Sequence, residues 1–266
     1  MKYCWQEWRS LWLGRGLLWV MTRRELSSRY AGSAMGVVWA YLQPILTIAA
    51  YFLVFDIVFS MRMGEGAPTT RMGTYLVAGA LPWLAFSEAL TRGAGSLVEA
   101  GSLLQKNALP PVLFVARSVL TSWVVYAPLI AVVTLGYLPV SGFGWAILAV
   151  PLLLLMQSLM TIVLAHALAI LAAAMRDVLQ VLTFLMSVGV YLSPVLFPLS
   201  FFPEEWRWVL FANPMSALVM GYQAVLLQGA WPGAEVWAIT AVWTLVPALA
   251  LNTLIQRSRD QLVDWL

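Results

Sequence analysis

The residues of this sequence that could do chemistry are ionisable groups set inside long apolar segments: Asp56, Glu88, Arg117 and His166. A charged side chain in hydrocarbon costs free energy, so each must face protein or water, and a chain of such groups could carry protons across a membrane. Glu88 and Arg117, however, fall near one end of their segments and Asp56 near the opposite end. This placement favours structural pairing over a proton pathway.

Other chemistries find no support in the sequence. A phosphate-binding loop, Gly-x-x-x-x-Gly-Lys-Ser/Thr, is absent, and Lys2 and Lys106 are the only lysines. Neither a hydrolase triad nor an Asp-x-Asp glycosyltransferase pattern occurs. One cysteine and one histidine supply too few ligands for a zinc site. We therefore expect a chain that is not an enzyme and binds no cofactor itself.

The composition is typical of a membrane protein. Of the 266 residues, 62% are hydrophobic and only 10% are charged, against about 25% charged residues in a soluble domain. The net charge of +3 then reflects basic cytoplasmic loops rather than a nucleic-acid surface. We expect an all-α integral membrane protein with one transmembrane domain over residues 1–266.

Six segments are apolar over the length of about 20 residues that a helix needs to cross a bilayer. They are 36–60, 74–91, 111–138, 145–175, 178–197 and 236–255. If both termini lie in the cytoplasm, only Arg62, Arg71 and Arg207 of the 15 Lys and Arg residues fall outside, as the preference for cytoplasmic cations requires. The sequence therefore predicts six transmembrane helices and two cytoplasmic termini.

Residues 1–30 are predicted to form an amphipathic helix in the membrane interface. Tryptophans recur there at helical spacing, at Trp5, Trp8, Trp12 and Trp19. An aromatic face with basic residues elsewhere around the helix is typical of interfacial helices, and an ordinary helix packed on other protein is the alternative. Arg15 interrupts the apolar run and no convincing cleavage site follows, so we do not expect a signal peptide.

Two connections carry more structure than a linker needs. The polar stretch 95–107 is predicted to be a short amphipathic helix on the cytoplasmic side, ended by Pro110 and Pro111. The stretch 198–230 is broken by prolines yet remains apolar. It is too broken for one span and too apolar for a solvated loop, so we expect short re-entrant or interfacial helices buried in protein or lining a cavity.

Aromatic residues make up 13% of the chain, with 14 tryptophans among them. Many should form belts at the membrane interfaces. A smaller set lies on one face of the first span or in the outer part of the fifth: Tyr51, Phe52, Phe55, Phe59, Tyr191 and Phe197. Stacked rings offer flat apolar faces to the CH surfaces of a sugar polymer without gripping any single unit, while core packing is an equal alternative for each residue.

Five stretches together resemble a known family. The first holds Arg29, Tyr30, Ser33, Gly36, Trp39 and Pro44. The others are YLVAGALPWLAFSEAL, LLQKNALPPVLFVARSVL, YLSPVLFPLS and FANPMSALVMGYQAVLLQG. In this order, over nearly the whole chain, they resemble the permeases of ABC type-2 exporters. The most similar group exports O-antigen, capsular polysaccharide and teichoic acid.

The resemblance implies the permease subunit of an ATP-driven exporter in the bacterial inner membrane, which moves a lipid-linked polysaccharide out of the cytoplasm. It implies a homodimer of this chain with two ABC ATPase subunits, which would bind the ATP and Mg²⁺. The surroundings would be membrane lipid, with no nucleic acid. It also implies an interface helix at 1–30, a coupling helix at 95–107 after the second span and gate helices at 198–230.

Four sets of residues acquire roles from the resemblance. Beside the lateral opening for the lipid head would stand Arg24, Arg29 and Tyr30. The residues that couple to the ATPase would be Gly95, Glu99, Gln105 and Lys106. The outer gate would contain Pro198, Phe202, Pro203 and Trp206. The six aromatic residues above would line the channel or its exit. Arginine suits a pyrophosphate head because it grips phosphate bidentately, and retention of topology by anionic lipid is the alternative role for these arginines.

Three other functions share parts of this pattern. A type-2 ABC permease for drugs or lipids would have the same topology, but the compact outer loops and the Trp-rich N-terminal helix favour glycan export. A proton-coupled secondary transporter is disfavoured because neither a deep relay of ionisable groups nor an internal repeat is visible. The third is a non-transporting scaffold for glycan synthesis, which, unlike an ABC permease, needs no adjacent ATPase gene.

Overall fold

The computed structural model describes residues 2–64, 68–107, 109–142, 144–259 and 261–266. Over these residues it is helical apart from turns, loops and one isolated β-bridge. The helices are α1 (Lys2–Leu13), α2 (Arg15–Arg29), α3 (Val38–Phe52), α4 (Met72–Glu99), α5 (Gly101–Lys106), α6 (Pro111–Gly136), α7 (Leu138–Ser141), α8 (Ala149–Ala174), α9 (Asp177–Gly189), α10 (Arg207–Phe211), α11 (Ser216–Gln228), α12 (Ala234–Ser258) and α13 (Leu262–Trp265). The all-helical fold class is confirmed.

Four helical segments of the described chain are long and apolar enough to cross a membrane. They are α3 with its π-helical continuation (Val38–Val58), α6, α8 with the turn before it (Trp145–Ala174), and α12. A fifth is reached if Glu204–Phe211 and α11, which meet at 101°, count as one bent span. Helix α4 has 28 residues but a less apolar sequence, and α9 has only 13 residues. The protein is therefore a multi-pass membrane protein, and the count of six spans stays a prediction.

Helix α4 forms the centre of the fold. It packs against α6, α8 and α11, and Tyr75, Phe86 and Leu97 along its length are fully buried. Small residues permit the close approach: a Cβ added at Gly93 would lie 2.7 Å from the Cβ of Ala165 on α8. Inside a membrane, where lipid competes for apolar surface, such close van der Waals packing is what stabilises helix contacts.

Helices α3, α9 and α12 lie at the margin of the fold, with side chains that are mostly exposed or half-buried. In Val38–Val58 only 6% of the apolar stretch is buried, against 44% in α6. Exposed apolar surface of this extent indicates contact with lipid or with another membrane subunit.

The segment predicted as one interface helix, 1–30, consists of α1 and α2, which meet at Gly14. The break lies where α6 approaches, since a Cβ added at Gly14 would lie 3.2 Å from Leu113. Three of the four tryptophans in this segment are exposed: Trp5, Trp12 and Trp19. Exposed indoles on helices beside a membrane bundle fit the interface position that the sequence predicts.

The two structured connections are helical but interrupted. Helix α4 continues to Glu99, so the stretch 95–107 consists of the end of α4, the break at Ala100 and the six-residue α5. In 198–230, two short 3-10 turns and α10 lead into α11. Below, the end of the bundle that carries α5 is called the cytoplasmic end and the end that carries the α3–α4 connection the outer end, after the predicted orientation.

Candidate functional site

Five charged residues from three helices meet near the cytoplasmic end, where α2 contacts α4 and α6. We call Glu25, Arg29, Glu88, Arg92 and Arg117 the charged cluster. Arg29 contacts both carboxylates, through Nη2 to Glu25 Oε1 and through Nη1 to Glu88 Oε1 at 3.2 Å. Glu88 Oε1 also accepts a hydrogen bond from Arg92 Nε at 3.1 Å, and Glu25 Oε2 lies 2.9 Å from Arg117 Nε.

Hydroxyl groups of α6 complete the charged cluster. Ser118 Oγ donates to the two carboxylate oxygens of Glu25 at 3.1 and 3.2 Å, and Ser122 Oγ donates to Glu88 Oε1 at 3.4 Å. The Nε of Arg117 makes no hydrogen bond to a described residue, so its contact with Glu25 is ionic only. The guanidinium of Arg117 also lies over the ring of Phe114, 5.1 Å from the centroid, a cation–π arrangement.

Burial explains why these groups are paired. The side chains of Arg29 and Glu25 are only 10% and 14% exposed, and charges so far removed from water are stable only with partners. The cluster therefore ties α2 to both α4 and α6. The structural pairing predicted for Glu88 and Arg117 is confirmed. Glu25 was missed, although its spacing of four residues from Arg29 was a visible signal.

The three residues predicted beside the lipid-head opening have different environments. Arg29 is held by two carboxylates inside the charged cluster. Tyr30 is half-buried and packs against the core. Arg24 is exposed and forms no ion pair with a described residue. Of the three, only Arg24 offers an unpaired guanidinium to an anionic ligand.

The residues predicted to couple to the ATPase also differ in their exposure. Glu99, Gln105 and Lys106 are exposed at the cytoplasmic end. Gly95 is buried within α4, and a Cβ added there would lie 3.7 Å from Glu99 Oε1. Within α5, Leu104 is buried and anchors the short helix to the fold. The structure thus presents a polar surface on α5 whose backbone is joined directly to α4.

A cavity of about 530 Å³ lies beside α5, enclosed by parts of α1, α8, α12 and α13. Its lining includes Glu7, His166 and Arg259 among apolar side chains. Burial raises the pKa of Glu7 above its ordinary value of 4.5, although a hydrogen bond from the Val112 N–H and the charge of Arg259 act in the opposite direction. The Val112 N–H belongs to the first turn of α6, so Glu7 links α1 to the start of that helix.

The six aromatic residues predicted for the channel occupy two parts of the fold. Tyr51 and Phe52 end α3, Phe55 lies in its π-helical continuation and Phe59 directly follows it, and Tyr191 and Phe197 follow α9. Phe59 and Tyr191 are 64% and 58% exposed, and the rings of Phe55 and Phe59 are tilted at 53° with centroids 6.4 Å apart. Four of the six are therefore open to lipid, to a second subunit or to a transported molecule, whereas Tyr51 and Phe55 are half-buried.

The predicted outer gate is anchored by hydrogen bonds that the sequence analysis missed. The carbonyl oxygen of Pro194 accepts from the Tyr75 hydroxyl at 2.6 Å and from Gln223 Nε2 at 2.8 Å. Asn213 Nδ2 donates to the carbonyl oxygen of Gly189 at 2.9 Å. The sequence signal for these bonds was the side-chain amides of Asn213 and Gln223, which lie within apolar segments and must find partners inside the protein.

The four gate residues sit just beyond these anchors. Pro198 is buried, Phe202 is half-buried, and Pro203 and Trp206 are exposed. The gate segment is therefore fixed where it leaves α9 and where it enters α11, and between these points it carries both buried and exposed side chains.

At the outer end, Asp56 connects α3 to α4. Its Oδ1 accepts a hydrogen bond from the Gly73 N–H at 2.7 Å, and its Oδ2 accepts one from Thr74 Oγ1 at 3.3 Å. These groups belong to the first turn of α4, where free N–H groups and the helix dipole favour a negative charge. The structural role predicted for Asp56 is confirmed, with a helix N-terminus as its partner instead of a cation.

Comparison with known proteins agrees with this architecture. The family model for the ABC-2 type transporter matches residues 16–227. The O-antigen export system permease protein RfbA of Myxococcus xanthus is 29% identical over 261 residues, covering 96% of this chain and 97% of that protein. An RfbA of Klebsiella pneumoniae with the same description is 21% identical over 80% of this chain and 81% of its own.

A further relative is the polysialic acid transport protein KpsM of Escherichia coli, 22% identical over 90% of this chain and 91% of its own. The similarity to each of these relatives extends over most of both chains, and the family model covers more than half of this one. The chain belongs to the ABC-2 type transporter family.

Proposed function

We propose that this chain is the membrane-embedded permease of an ATP-driven exporter that moves a lipid-linked polysaccharide across the bacterial inner membrane. One observation carries the proposal: relatives named for O-antigen export and polysialic acid transport align with this chain nearly end to end. The exposed aromatic residues of α3 and those after α9 fit a sugar polymer, because they offer ring faces without a pocket for a single unit.

The proposed transporter contains two copies of this chain and two copies of a separate ABC ATPase, which binds ATP and Mg²⁺. The exposed apolar faces of α3 and α9 are where the second copy would pack, with the channel between them. Six spans and two cytoplasmic termini belong to this proposal. Glu99, Gln105 and Lys106 would contact the ATPase, and Gly95 would set the shape of α4 behind them.

In the proposed transporter, the charged cluster would transmit movement from α5 and α4 to the interface helices. A push on α5 reaches α4 through Ala100, and α4 carries Glu88 and Arg92. Glu88, which is paired with Arg92, contacts Arg29 on α2, and Arg29 is linked to Arg117 on α6 through Glu25. The interface helices would therefore move together with the second and third predicted spans when ATP binds.

The three residues at the proposed lipid-head opening would have different roles. Arg24, exposed and unpaired among the described residues, would contact the phosphate of the substrate. Arg29 and Tyr30 would hold α2 in place beside the opening. At the other side of the membrane, Pro198, Phe202, Pro203 and Trp206 would form the outer gate.

The test is reconstitution of this chain with the ATPase encoded beside it. We expect ATP-dependent movement of a lipid-linked glycan into vesicles, and loss of surface glycan with accumulation of cytoplasmic lipid-linked chains when the gene is deleted. Replacing Glu99 and Lys106 by Ala should weaken ATPase binding or uncouple ATP hydrolysis from transport. Unchanged surface glycan in the deletion strain would exclude this function.

A further inference from the structure

Two adjoining cavities lie at the outer end, one at the α3–α4 connection and one between α3, α4 and α6. The first, of about 350 Å³, is lined by Ser60, Arg62, Thr70 and Arg71 together with part of α3 and its π-helical continuation. The second, of about 540 Å³, is an apolar groove between the three helices. Phe52 lines both, so the charged compartment adjoins the hydrocarbon-lined one.

The two arginines are held opposite each other by the backbone. Arg62 and Arg71 form an isolated antiparallel β-bridge, with flanking hydrogen bonds from Met63 N to the Thr70 oxygen at 3.0 Å and from Met72 N to the Met61 oxygen at 3.2 Å. Bonds that flank the pair mark the narrow type of antiparallel pairing, in which the two Cα atoms are about 4.5 Å apart and the side chains closest. Two like charges placed this way destabilise the bridge unless something lies between them.

The described part of the protein supplies no counter-ion for this pair. The one carboxylate that lines the cavity, Asp56, is already bonded to the first turn of α4. Neither Arg62 nor Arg71 forms an ion pair with a described residue, whereas the third outer arginine, Arg207, is paired with Glu204 at 3.1 Å. Among the described residues, the cavity lining therefore carries two arginines against one carboxylate, a net positive charge on the predicted outer side, where cations are disfavoured.

The groove extends along α3 from Phe52 toward the middle of the predicted span. Ile45, Ile48 and Phe52 on α3 form one wall, and Val77 on α4 and Val133 on α6 contribute to the others. Residues 45 to 52 advance about 10 Å along a helix at 1.5 Å per residue. That length accommodates the upper part of an acyl chain.

We propose that this double compartment binds one anionic phospholipid of the membrane, with its phosphate between Arg62 and Arg71 and an acyl chain in the groove. Guanidinium groups bind phosphate oxygens bidentately. A zwitterionic lipid would bring an ammonium group to a cavity whose only described carboxylate is occupied, so the site selects against it. The proposal does not depend on which molecule the transporter exports.

The experiment measures lipid binding to the purified full-length protein by native mass spectrometry. Phosphatidylglycerol and phosphatidylcholine with the same acyl chains are the probes. The wild type should prefer phosphatidylglycerol by about tenfold, the equivalent of one charge-assisted contact. R62A/R71A should lose this preference, and the matched control R207A should keep it. Equal binding of both lipids by the wild type, or equal losses in R62A/R71A and R207A, would overturn the proposal.

Two further variants guard against misfolding and test the groove. R62K keeps the charge but not the bidentate geometry, so it should remain folded and bind phosphatidylglycerol several-fold more weakly. Ala49→Trp, which fills the groove, should weaken binding of long-chain phosphatidylglycerol but spare a dihexanoyl form. Ala50→Trp, equally exposed but outside the groove, is its control. Identical behaviour of these two Trp variants would exclude the acyl-chain position.

In the sequence, Glu65 lies between the two arginines but outside the described residues, so E65Q belongs in the same series. It should leave the preference for phosphatidylglycerol intact or increase it, because it removes a negative charge from the segment that connects the two arginines. Loss of the preference in E65Q would contradict the proposed role of the arginines.

Discussion

Arginine side chains have opposite environments at the two ends of this bundle. In the charged cluster, three arginines from α2, α4 and α6 surround two carboxylates, and hydroxyl groups of α6 complete the contacts. At the outer end, two arginines face each other across a β-bridge and the nearby carboxylate is bonded to a helix N-terminus. A charge in a membrane protein is therefore structural where its partners come from other helices, and available to a ligand where they do not.

The largest effect is expected from Glu25→Ala, which removes the carboxylate shared by Arg29 and Arg117. It leaves Arg117 without a carboxylate partner among the described residues, and an uncompensated buried charge costs about 3 kcal/mol or more. The free energy of unfolding should fall by about that amount, with a matching drop in the thermal midpoint of the detergent-solubilised protein. Glu99→Ala, at an exposed glutamate, is the control and should change stability by no more than about 0.5 kcal/mol. Equal midpoints for the two variants would show that the charged cluster does not hold the helices.

The next comparison separates the two arginines of α2. Arg29→Ala should lower the thermal midpoint and transport together, because Glu25 and Glu88 both lose a cation. Arg24→Ala should leave the thermal midpoint unchanged but weaken the apparent affinity for the lipid-linked substrate about tenfold, the effect of losing one charge-assisted contact to phosphate. Midpoints and transport assays on both variants decide between them. Normal transport in Arg24→Ala would contradict a contact between Arg24 and the substrate, and would leave retention of topology as the role of this residue.

The outer counterpart of the Glu25 variant is Asp56→Ala. Loss of the hydrogen bonds to the first turn of α4 should cost about 1–2 kcal/mol, as for other helix caps. The same change removes a negative charge beside Arg62 and Arg71, so binding of phosphatidylglycerol should tighten while stability falls. Parallel measurements of thermal midpoint and lipid binding test these opposite signs. A weaker lipid affinity in this variant would mean that Asp56 helps to build the cavity.

The sequence predicts the helices better than their partners. Apolar length and the distribution of Lys and Arg are local properties, so the membrane class and most helix positions could be predicted. The contacts of Glu25 with Ser118, 93 residues apart, depend on which helices meet, and no periodicity encodes that. The same limit applies to Gln223, whose partner Pro194 lies 29 residues away in a proline-broken segment.

Residue type also says little about whether a side chain is free to bind a ligand. Arg24 and Arg29 look alike in the sequence, yet one is exposed and the other is held by two carboxylates. Gly95 stood with Glu99 and Lys106 in one predicted surface, but the uninterrupted course of α4 buries the glycine. Arg62 and Arg71 carried no predicted role because the bridge that places them opposite each other forms only when the α3–α4 connection folds back on itself.

The smallest expected effect tests whether every carboxylate at the cytoplasmic end is paired. Glu7 differs from Glu25 and Glu88, because its Oε2 is buried with no hydrogen bond to a described residue and burial raises its pKa above 4.5. A raised pKa means that the folded state holds the proton more tightly than the unfolded state. Relative to Glu7→Gln, the wild type should therefore be most stable below pH 4.5, and this advantage should disappear as the pH rises through the raised pKa. Thermal midpoints of both proteins between pH 4 and about 8 measure the difference. A gap that widens with pH in favour of the wild type would show that Arg259 and the Val112 N–H outweigh burial, and that Glu7 behaves like the paired carboxylates of the charged cluster.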